Sequence, residues 1–335
     1  MDILKLCHGG DVYRNTVRLD FSINTNPLGM PKEVSWAAIK GIEVSGHYPD
    51  YYCSELKNKL VEYASREYGK VSPDDIVFGN GSTELIYRLC DVVSGKRGAV
   101  SAPIFTEYER ALEAARFEVS TKLDTSADLL FICNPNNPTG EFISKERLTE
   151  ILEECKKNGC ILAVDECFIP LTVREDESMM GLVGEYDNLV VIRAFTKTFA
   201  MPGLRLGYIV TSNDMIKSRI ARILPPWNVS ISAQMGGVAA LNMGRDYVLK
   251  AKKLIKKERG YLVSELENGI ADKIYPSETN FILFTSEDNL YDRLLAQGIL
   301  IRKCGDFTGL TDKHYRIAVR KHEENLELIK AIRSA

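Results

Sequence analysis

The sequence lacks a hydrophobic run of about 18 residues, the shortest length that would suggest a membrane-spanning helix. It also lacks a basic excess, because 43 lysines and arginines stand against 46 aspartates and glutamates, for a formal net charge of −3. We therefore predict no membrane association, and the charge gives no reason to expect a nucleic acid partner. The first residues, MDILKLCHGGD, lack the apolar stretch of a signal peptide, so we expect a cytoplasmic protein.

Metal-binding patterns are missing as well. The eight cysteines include no C-x-x-C pair, and the four histidines show no zinc-ligand spacing with them. Several cysteines lie in strand-like apolar runs such as LLFIC and ILAVDEC, so we predict no metal site and expect reduced, mostly buried thiols. The cysteines are Cys7, Cys53, Cys90, Cys133, Cys155, Cys160, Cys167 and Cys304.

Between about residues 76 and 242, the sequence alternates short apolar runs with amphipathic stretches. The apolar runs are continuous and rich in β-branched residues, as strands buried on both faces should be: IVFG, GAVSA, LLFIC, ILAVDE, LVVIRAF and LGYIVT. The stretches between them have helical spacing, for example SKERLTEILEECKKNG, which ends in an Asn-Gly helix stop. The pattern predicts an α/β fold with a mostly parallel central sheet covered by helices.

The 335 residues are enough for two subdomains. After a long charged helix at residues 244–268, the pattern changes to KIYP, NFILF, a helix near 288–297, LIRK, YRIAV and a final helix, which is typical of a smaller α+β domain. We expect residues 43–242 to form the large domain and residues 243–335 the small domain. Residues 1–42 show few clear elements, and we expect them to pack on the small domain.

Lys197 stands where a lysine is unusual, in the turn after a predicted buried strand, within AFTKTFAMPGLRLGY. Most lysines are exposed, so an ordinary loop lysine is the first interpretation. The second is a reactive amine, because burial and neighbouring cations lower the pKa of a lysine and leave more of it neutral. Residues elsewhere in the sequence distinguish the two interpretations.

Four further sites follow predicted strands. GNGSTE, at residues 79–84, joins a strand to a helix, where glycine and free N–H groups favour a phosphate, although the same residues also form an ordinary capped turn. NPNNPTG, at residues 134–140, is a stiff loop after LLFIC. Asp165 ends a buried strand, where a carboxylate needs a partner, and Arg205 is another candidate for a phosphate.

Together these sites meet the needs of pyridoxal phosphate. They fall at the C-terminal ends of strands, where open α/β sheets bind ligands. A phosphate cradle, an acid, an asparagine amide and an amine match a cofactor whose aldehyde joins a lysine and whose pyridine nitrogen needs a carboxylate. The sequence resembles, nearly end to end, the fold-type I pyridoxal-phosphate enzymes of the aminotransferase class I/II group.

The resemblance implies roles for individual residues. Lys197 matches the lysine that binds the cofactor covalently, Asp165 the partner of the pyridine nitrogen, and Ala194 a position that usually holds a phosphate-binding Ser or Thr. The other implied cofactor contacts are Gly81, Ser82, Thr83 and Arg205 at the phosphate, Tyr108 stacked on the ring, Asn137 at the phenolic oxygen, and Phe168 and Thr196 nearby. For Tyr108, packing on the sheet is the alternative.

Tyr48, in HYPD, matches a tyrosine that reaches the cofactor phosphate of the partner subunit. The resemblance therefore implies a homodimer. A residue at the rim of the protein is the alternative interpretation of Tyr48, because tyrosines are often only partly buried.

The implied substrate contacts resemble those of two families, the threonine-phosphate decarboxylases and the histidinol-phosphate aminotransferases. By that resemblance, Arg316 holds the substrate carboxylate, or a phosphate where the substrate has no carboxylate, and Arg302 holds the substrate phosphate. A surface pair of ion-paired arginines is the alternative. The remaining implied substrate contacts are His8, Asn24 and Asn137.

Three features resemble the decarboxylases more closely. The opening, CHGGDVY followed by LDFSINTNPLGMP, has Thr25 where the aminotransferases tend to have glutamate. Phe168 replaces a tyrosine that is usual in the aminotransferases, which removes a hydroxyl donor to the cofactor. AMPGLRLGY and LPPWNVS, which contains Trp227 and Asn228, also match decarboxylase segments.

The sequence therefore predicts decarboxylation of a small phosphorylated amino acid. The expected substrate is L-threonine O-3-phosphate and the expected product (R)-1-amino-2-propanol O-2-phosphate, formed in cobalamin biosynthesis. Decarboxylation of L-serine O-phosphate is a close alternative, because one methyl group gives only about 1–3 kcal/mol of discrimination. Transamination of histidinol phosphate or a similar amine is the other alternative.

Overall fold

The computed structural model describes residues 8–69 and 71–334 and forms a β-strand from each predicted apolar run. In chain order, the strands are β1 (Leu19–Asp20), β2 (Ile76–Asn80), β3 (Arg97–Val100), β4 (Glu118–Ser120), β5 (Leu129–Cys133), β6 (Ile161–Asp165), β7 (Leu189–Ala194), β8 (Leu206–Val210), β9 (Lys273–Ile274), β10 (Phe281–Thr285), β11 (Ile299–Leu300), β12 (Arg302–Lys303) and β13 (His314–Ala318).

Helices connect most of these strands. In chain order, the α-helices are α1 (Lys32–Glu43), α2 (Ser54–Tyr68), α3 (Ser82–Val92), α4 (Glu107–Ala114), α5 (Lys145–Asn158), α6 (Phe195–Thr198), α7 (Asp214–Ile223), α8 (Ile231–Asn242), α9 (Gly244–Glu267), α10 (Leu290–Ala296) and α11 (His322–Arg333). Short 3-10 helices lie at Pro73–Asp75, Ile169–Leu171, Glu175–Glu177, Met179–Leu182 and Pro202–Leu204.

Seven strands form the central sheet, in the spatial order β2-β8-β7-β6-β5-β3-β4. The five strands from β7 to β4 are parallel, whereas β8 is antiparallel to both β7 and β2. Strands β5, β7 and β8 are buried along their whole length. The predicted α/β fold with a mostly parallel sheet is confirmed, with β8 as an antiparallel member.

Apolar cores on both faces of the sheet explain the continuous apolar runs. Side chains that alternate along β5 belong to different cores, because successive side chains of a strand point to opposite faces. Leu130 and Ile132 pack with residues of α2, α5 and α8, while Leu129 and Phe131 pack with residues of α3, α4 and α7. A strand between two such layers has no solvated face and therefore no alternation of polar residues.

The C-terminal part contains a four-stranded antiparallel sheet in the order β12-β13-β10-β9. Strand β1 pairs with β11 in a separate parallel ribbon, and Phe21 packs in the apolar core of this part of the protein. Helix α1, by contrast, packs against α8. The domain boundaries after residues 42 and 242 remain predictions.

The seven cysteines from Cys53 to Cys304 are free and buried, as expected, while Cys7 lies outside the described residues. No helix within residues 8–69 and 71–334 is long and apolar enough to cross a membrane.

A buried ion pair joins the ends of β6 and β7. Arg193, in β7, donates from Nε and Nη2 to Oε2 of Glu166, over 3.1 and 2.7 Å. The two side chains are only 3% and 0% exposed. Ser178 also donates to Oε2, and the backbone N–H of Met179 donates to Oε1. The pair therefore fixes the strand ends next to Asp165 and ahead of the turn that contains Lys197.

Replacement of Arg193 by methionine should lower the free energy of unfolding by about 3–5 kcal/mol, because Glu166 is left as a buried charge without its cation. Chemical unfolding followed by circular dichroism measures the change. The double variant R193M/E166Q removes both charges and keeps an acceptor for Met179, so it should recover part of the loss. A double variant as unstable as R193M alone would contradict this interpretation.

Candidate active site

A cavity of about 340 Å³ opens at the C-terminal edge of the parallel strands. Strand β5 contributes its last residue, Cys133, strand β6 contributes Asp165, and the turn after β7 contributes Lys197. Most of the residues predicted from sequence line this cavity, namely His8, Asn24, Ser82, Thr83, Tyr108, Asn137, Asp165, Phe168, Thr196, Lys197, Arg205, Arg302 and Arg316. Gly81 adjoins Ser82 at its wall, and Tyr48 lies outside it.

Lys197 projects from α6, a four-residue helix that directly follows the buried strand β7. Burial is the main cause that lowers its pKa to about 8. The positive charges of Arg316 and Arg205 lower it further, while a nearby thiol and carboxylate oppose the change. Lys197 is thus a half-buried, partly deprotonated amine in the cavity wall and not an exposed loop lysine.

The N-terminal segment holds the lysine turn in place. The backbone N–H of Asn26 donates to the carbonyl oxygen of Lys197 at 3.0 Å, and its side-chain Nδ2 donates to the carbonyl of Thr198 at 2.8 Å. Nearby, Oδ1 of Asn24 is buried and has no hydrogen-bond partner within the described ranges. The role of Asn26 was not predicted from sequence, although it lies in the quoted segment LDFSINTNPLGMP.

Asp165 ends β6 as a buried carboxylate. Its Oδ1 accepts from the backbone N–H of Cys167 at 2.9 Å, and its Oδ2 accepts from the hydroxyl of Tyr108 at 2.7 Å. Burial raises the pKa of Asp165, and these hydrogen bonds oppose the increase. The ring of Tyr108 stacks on Phe131, with 5.0 Å between ring centroids. Its predicted stacking on the cofactor therefore stays a prediction.

The turn before α3 has the shape of a phosphate cradle. Gly81 has a φ of +80°, and a Cβ atom there would lie 2.3 Å from Nη2 of Arg205. A Cβ atom on Gly207 would lie 2.3 Å from the backbone nitrogen of Ser82. Both glycines thus permit close approach of Arg205 and β8 to the start of α3, where backbone N–H groups favour an anion. Ala194 adds no polar group.

Apolar groups surround Lys197 on another side. The ring centroid of Phe168 lies 6.0 Å from Nζ of Lys197, and its ring packs edge-on against Phe281. Cys167 and Ala194 complete this small apolar cluster. The predicted loss of a hydroxyl donor to the cofactor at position 168 stays a prediction.

Arg316 is a buried cation with neutral partners. Its Nη1 donates to Oδ1 of Asn137, and its Nη2 donates to the carbonyl of Ser22 at 3.1 Å. Its buried Nε has no hydrogen-bond partner in the described part of the chain, and no carboxylate there forms an ion pair with it. Burial lowers the pKa of Arg316 to about 10. The guanidinium is therefore placed to receive an anionic ligand.

Arg302 and His8, in contrast, each contact a carboxylate. Nη2 of Arg302 donates to Oδ1 and Oδ2 of Asp306 at 2.8 and 2.6 Å. Nε2 of His8 lies 2.8 Å from Oε1 of Glu107. The surface-ion-pair alternative thus describes Arg302 only in part, because it is ion-paired but also lines the cavity with Arg316.

Tyr48 lies in a neighbouring cavity, which it shares with Arg205. Its side chain is 76% exposed and stacks on Trp227, with 4.3 Å between ring centroids. Asn228 lines the same cavity and donates to Oε2 of Glu84 at 2.9 Å. This exposed position is compatible with contact to a second subunit, and that role stays a prediction.

Several cavity residues were not predicted from sequence. Glu107 directly precedes Tyr108 in IFTEYERA, and that adjacency was the available signal. Cys167 lies two residues after Asp165, with its Sγ atom 3.7 Å from Oγ of Ser82. Ser22 and Phe307 reach the cavity from segments whose place in the fold the sequence pattern did not define.

Comparison with known proteins agrees with this geometry. The profile of the family described as aminotransferase class I and II matches residues 16–332. The threonine-phosphate decarboxylase of Salmonella typhimurium is 31% identical over 100% of this chain and 98% of its own length. The histidinol-phosphate aminotransferase of Thermoanaerobacter pseudethanolicus is 32% identical over 96% and 94% of the two chains.

Among solved structures, the histidinol-phosphate aminotransferase from Clostridium acetobutylicum superposes with a TM-score of 0.85 and is 31% identical. That alignment covers 94% of this chain and 98% of the other. The resemblance inferred from the motifs is confirmed. The chain belongs to the aminotransferase class I and II family, whose cofactor is pyridoxal phosphate.

Proposed function

We propose that the protein decarboxylates L-threonine O-3-phosphate to (R)-1-amino-2-propanol O-2-phosphate, as an enzyme of cobalamin biosynthesis. The position of His8 carries this proposal. The histidine of the His-Gly-Gly opening, which resembles the decarboxylases, lines the same cavity as Lys197 and Arg302. The similar proteins include both a decarboxylase and an aminotransferase at nearly equal identity, so the reaction has to be argued from the cavity.

The cavity residues fit pyridoxal phosphate. Lys197 would hold the cofactor covalently, Asp165 would face its pyridine nitrogen, and the start of α3 with Arg205 would hold its phosphate. Asn137, oriented by Arg316, would reach its phenolic oxygen. When bound, the cofactor supplies a conjugated ring that accepts the electron pair left by a broken Cα bond.

Two anion sites in the cavity match the two ends of a phosphorylated amino acid. Arg316, which has no carboxylate partner among the described residues, is proposed to bind the substrate carboxylate. Arg302 and His8 are proposed to bind the phosphate. Asn24, with its unpartnered Oδ1, is proposed to contact the substrate as well. A substrate with anionic groups at both ends would therefore be held at two points.

The surroundings of Lys197 favour loss of the carboxylate. With the cofactor bound, Arg316 would orient the substrate carboxylate so that the bond between the carboxylate and Cα is the one that breaks. Because decarboxylation converts a carboxylate into neutral carbon dioxide, the apolar cluster of Phe168 and Phe281 favours the reaction more than a polar wall would. Nζ of Lys197 is proposed to deliver the proton that Cα then needs.

Transamination of histidinol phosphate is the second candidate, because solved and curated relatives at 31–32% identity are histidinol-phosphate aminotransferases. In that reaction Arg316 would hold the phosphate of a substrate that has no carboxylate. Decarboxylation of serine phosphate is the closest variant of the first proposal. These reactions form different products from the same cavity.

A single-turnover assay separates the candidates. The holoenzyme should release carbon dioxide from threonine phosphate and form aminopropanol phosphate, both followed by mass spectrometry. Serine phosphate should react more slowly, since about 1–3 kcal/mol of discrimination is expected for one methyl group. Formation of glutamate from histidinol phosphate and 2-oxoglutarate, without carbon dioxide release, would overturn the proposal.

The pKa of Lys197 predicts the pH dependence of cofactor attachment. The neutral amine attacks an aldehyde, and a pKa lowered from 10.5 to about 8 makes the amine mostly neutral above pH 8. The rate at which the apoenzyme attaches pyridoxal phosphate, followed by visible absorbance, should therefore rise with a midpoint near pH 8. Lys197→Ala should abolish both attachment and turnover, whereas a midpoint above pH 10 would contradict the lowered pKa.

We also propose a homodimer, with Tyr48 reaching the site of the partner. Exposed apolar residues precede and follow Tyr48 in the chain, and Trp227 stacks on it. We call this set the aromatic face, because exposed apolar residues in such numbers mark interaction surfaces. Its residues come from α1 and from two loops that lie near the cavity of Arg205. They are Trp36, Ile39, Ile42, Tyr48, Tyr51, Tyr52 and Trp227.

Ile42→Glu should dissociate the dimer, because it places a charge in the aromatic face, where Ile42 is 64% exposed in the single chain. Sedimentation equilibrium at micromolar concentration measures the change. Met215→Glu, at a residue that is 60% exposed on α7, is the matched control and should leave the dimer intact. A wild-type protein that sediments as a monomer would refute the proposal.

A further inference from the structure

Carboxylates contact two of the three side chains that are proposed to bind substrate anions. His8 is paired with Glu107, and Arg302 is paired with Asp306. Arg316 has no such partner in the described part of the chain. The sites therefore differ, since Arg316 has no carboxylate partner among the described residues, whereas His8 and Arg302 each contact one.

Glu107 is a rigid partner for His8. It is only 8% exposed, and its carboxylate also accepts from Nη1 of Arg110 and from the hydroxyl of Tyr87, both at 3.0 Å. The hydrogen bond with His8 is the main cause that lowers the pKa of Glu107, so the group is ionised at neutral pH. Because Nε2 of His8 faces Glu107, Nδ1 is the ring nitrogen available to a ligand.

Asp306 fixes Arg302 in a similar way. Besides the two contacts with Asp306, Nη1 of Arg302 donates to the carbonyl of Lys303 at 2.7 Å. The guanidinium also packs over the ring of Phe307, at 5.3 Å from its centroid. Thr308 ties this loop to the large domain through a hydrogen bond of 2.9 Å to Oε2 of Glu109. The guanidinium plane is therefore set before a substrate arrives.

These two pairs lie away from the proposed site of the cofactor phosphate. One adjoining cavity shares His8 and Arg302 with the main cavity and includes Asp306. Another adjoining cavity shares Arg205 with it and includes Tyr48. The two adjoining cavities have no lining residue in common, so they open on different sides of the main cavity.

We propose that Glu107 and Asp306 are specificity-determining positioning residues, which preset His8 and Arg302 as a site for the phosphate of the substrate. The inference rests on the proposed function, which assigns the phosphate to these two cations. Since Glu107 and Asp306 already bind these two side chains, a neutral hydroxyl group gains little there. A phosphate offers close to two negative charges and three acceptor oxygens, so it binds both cations at once. Because Glu107 and Asp306 already hold His8 and Arg302 in place, these side chains lose less conformational entropy when the phosphate binds.

Glu107 could either position His8 or repel the substrate phosphate. Replacement of Glu107 should change KM in opposite directions in these two cases. If Glu107 positions His8, Glu107→Gln should raise the KM of the phosphorylated substrate about tenfold, with kcat changed less than about twofold. If Glu107 merely repels the phosphate, the same variant should lower the KM. Glu113→Gln, an exposed charge change on the same helix α4, is the matched control and should change neither constant.

A double-mutant cycle tests whether Glu107 acts through His8. In the His8→Asn background, Glu107→Gln should have little further effect on KM, whereas a general structural defect would persist. Asp306→Asn tests the second pair independently, and it should also raise KM. Competitive inhibition of the holoenzyme by inorganic phosphate should weaken in parallel in both single variants.

The outcomes separate this inference from the proposed reaction. If threonine phosphate is not decarboxylated, the same comparison is made with histidinol phosphate and with inorganic phosphate, because both carry the anion in question. An unchanged or lowered KM in Glu107→Gln and Asp306→Asn, with unchanged inhibition by phosphate, would overturn the positioning role. A raised KM with weaker inhibition supports it, whichever reaction the enzyme performs.

Discussion

Burial of charge at one edge of the sheet is the constraint on which the rest of the site depends. Asp165 and Arg316 are buried, Lys197 is half-buried, and the charged form of each is destabilised. The pKa falls to about 8 for Lys197 and to about 10 for Arg316, and it rises for Asp165. An unpartnered buried charge is costly, so such groups persist where a ligand completes them. The cofactor and the substrate anions are, on this argument, the missing partners.

The N-terminal segment connects this charged edge to the apolar core of the C-terminal part. Phe21 packs in that core, while the next residue, Ser22, accepts a hydrogen bond from Arg316 through its carbonyl. Asn26, four residues later, binds the turn of Lys197. A short stretch without regular structure therefore bonds both Arg316, the proposed substrate-binding arginine, and Lys197. This explains why the segment carries chemistry although it forms few elements.

Sequence reasoning recovered the layers of the fold and the residues that end strands. Continuous apolar runs predict buried strands, and Asp165 and Lys197 stand out because a charge directly after such a run is unusual. The same pattern carries no direction, so the antiparallel orientation of β8 was not predicted individually. Contacts across the chain were also missed, such as His8 with Glu107, which are 99 residues apart. Spacing cannot predict a partner that only the tertiary fold brings near.

Arg302 and Arg316 differ in a way that only the tertiary fold determines, and the difference bears on the proposed reaction. The resemblance implied a different anion for each arginine but gave no partner for either, whereas the fold gives only Arg302 a carboxylate partner among the described residues. In a decarboxylation the carboxylate held by Arg316 is destroyed, so the strongest anion contact disappears as the product forms. The phosphate would remain on its proposed contacts, His8 and Arg302, which already bind Glu107 and Asp306, so it would be held less strongly than by side chains without such partners. Placing the uncompensated cation at the group that leaves favours binding of the substrate over binding of the product.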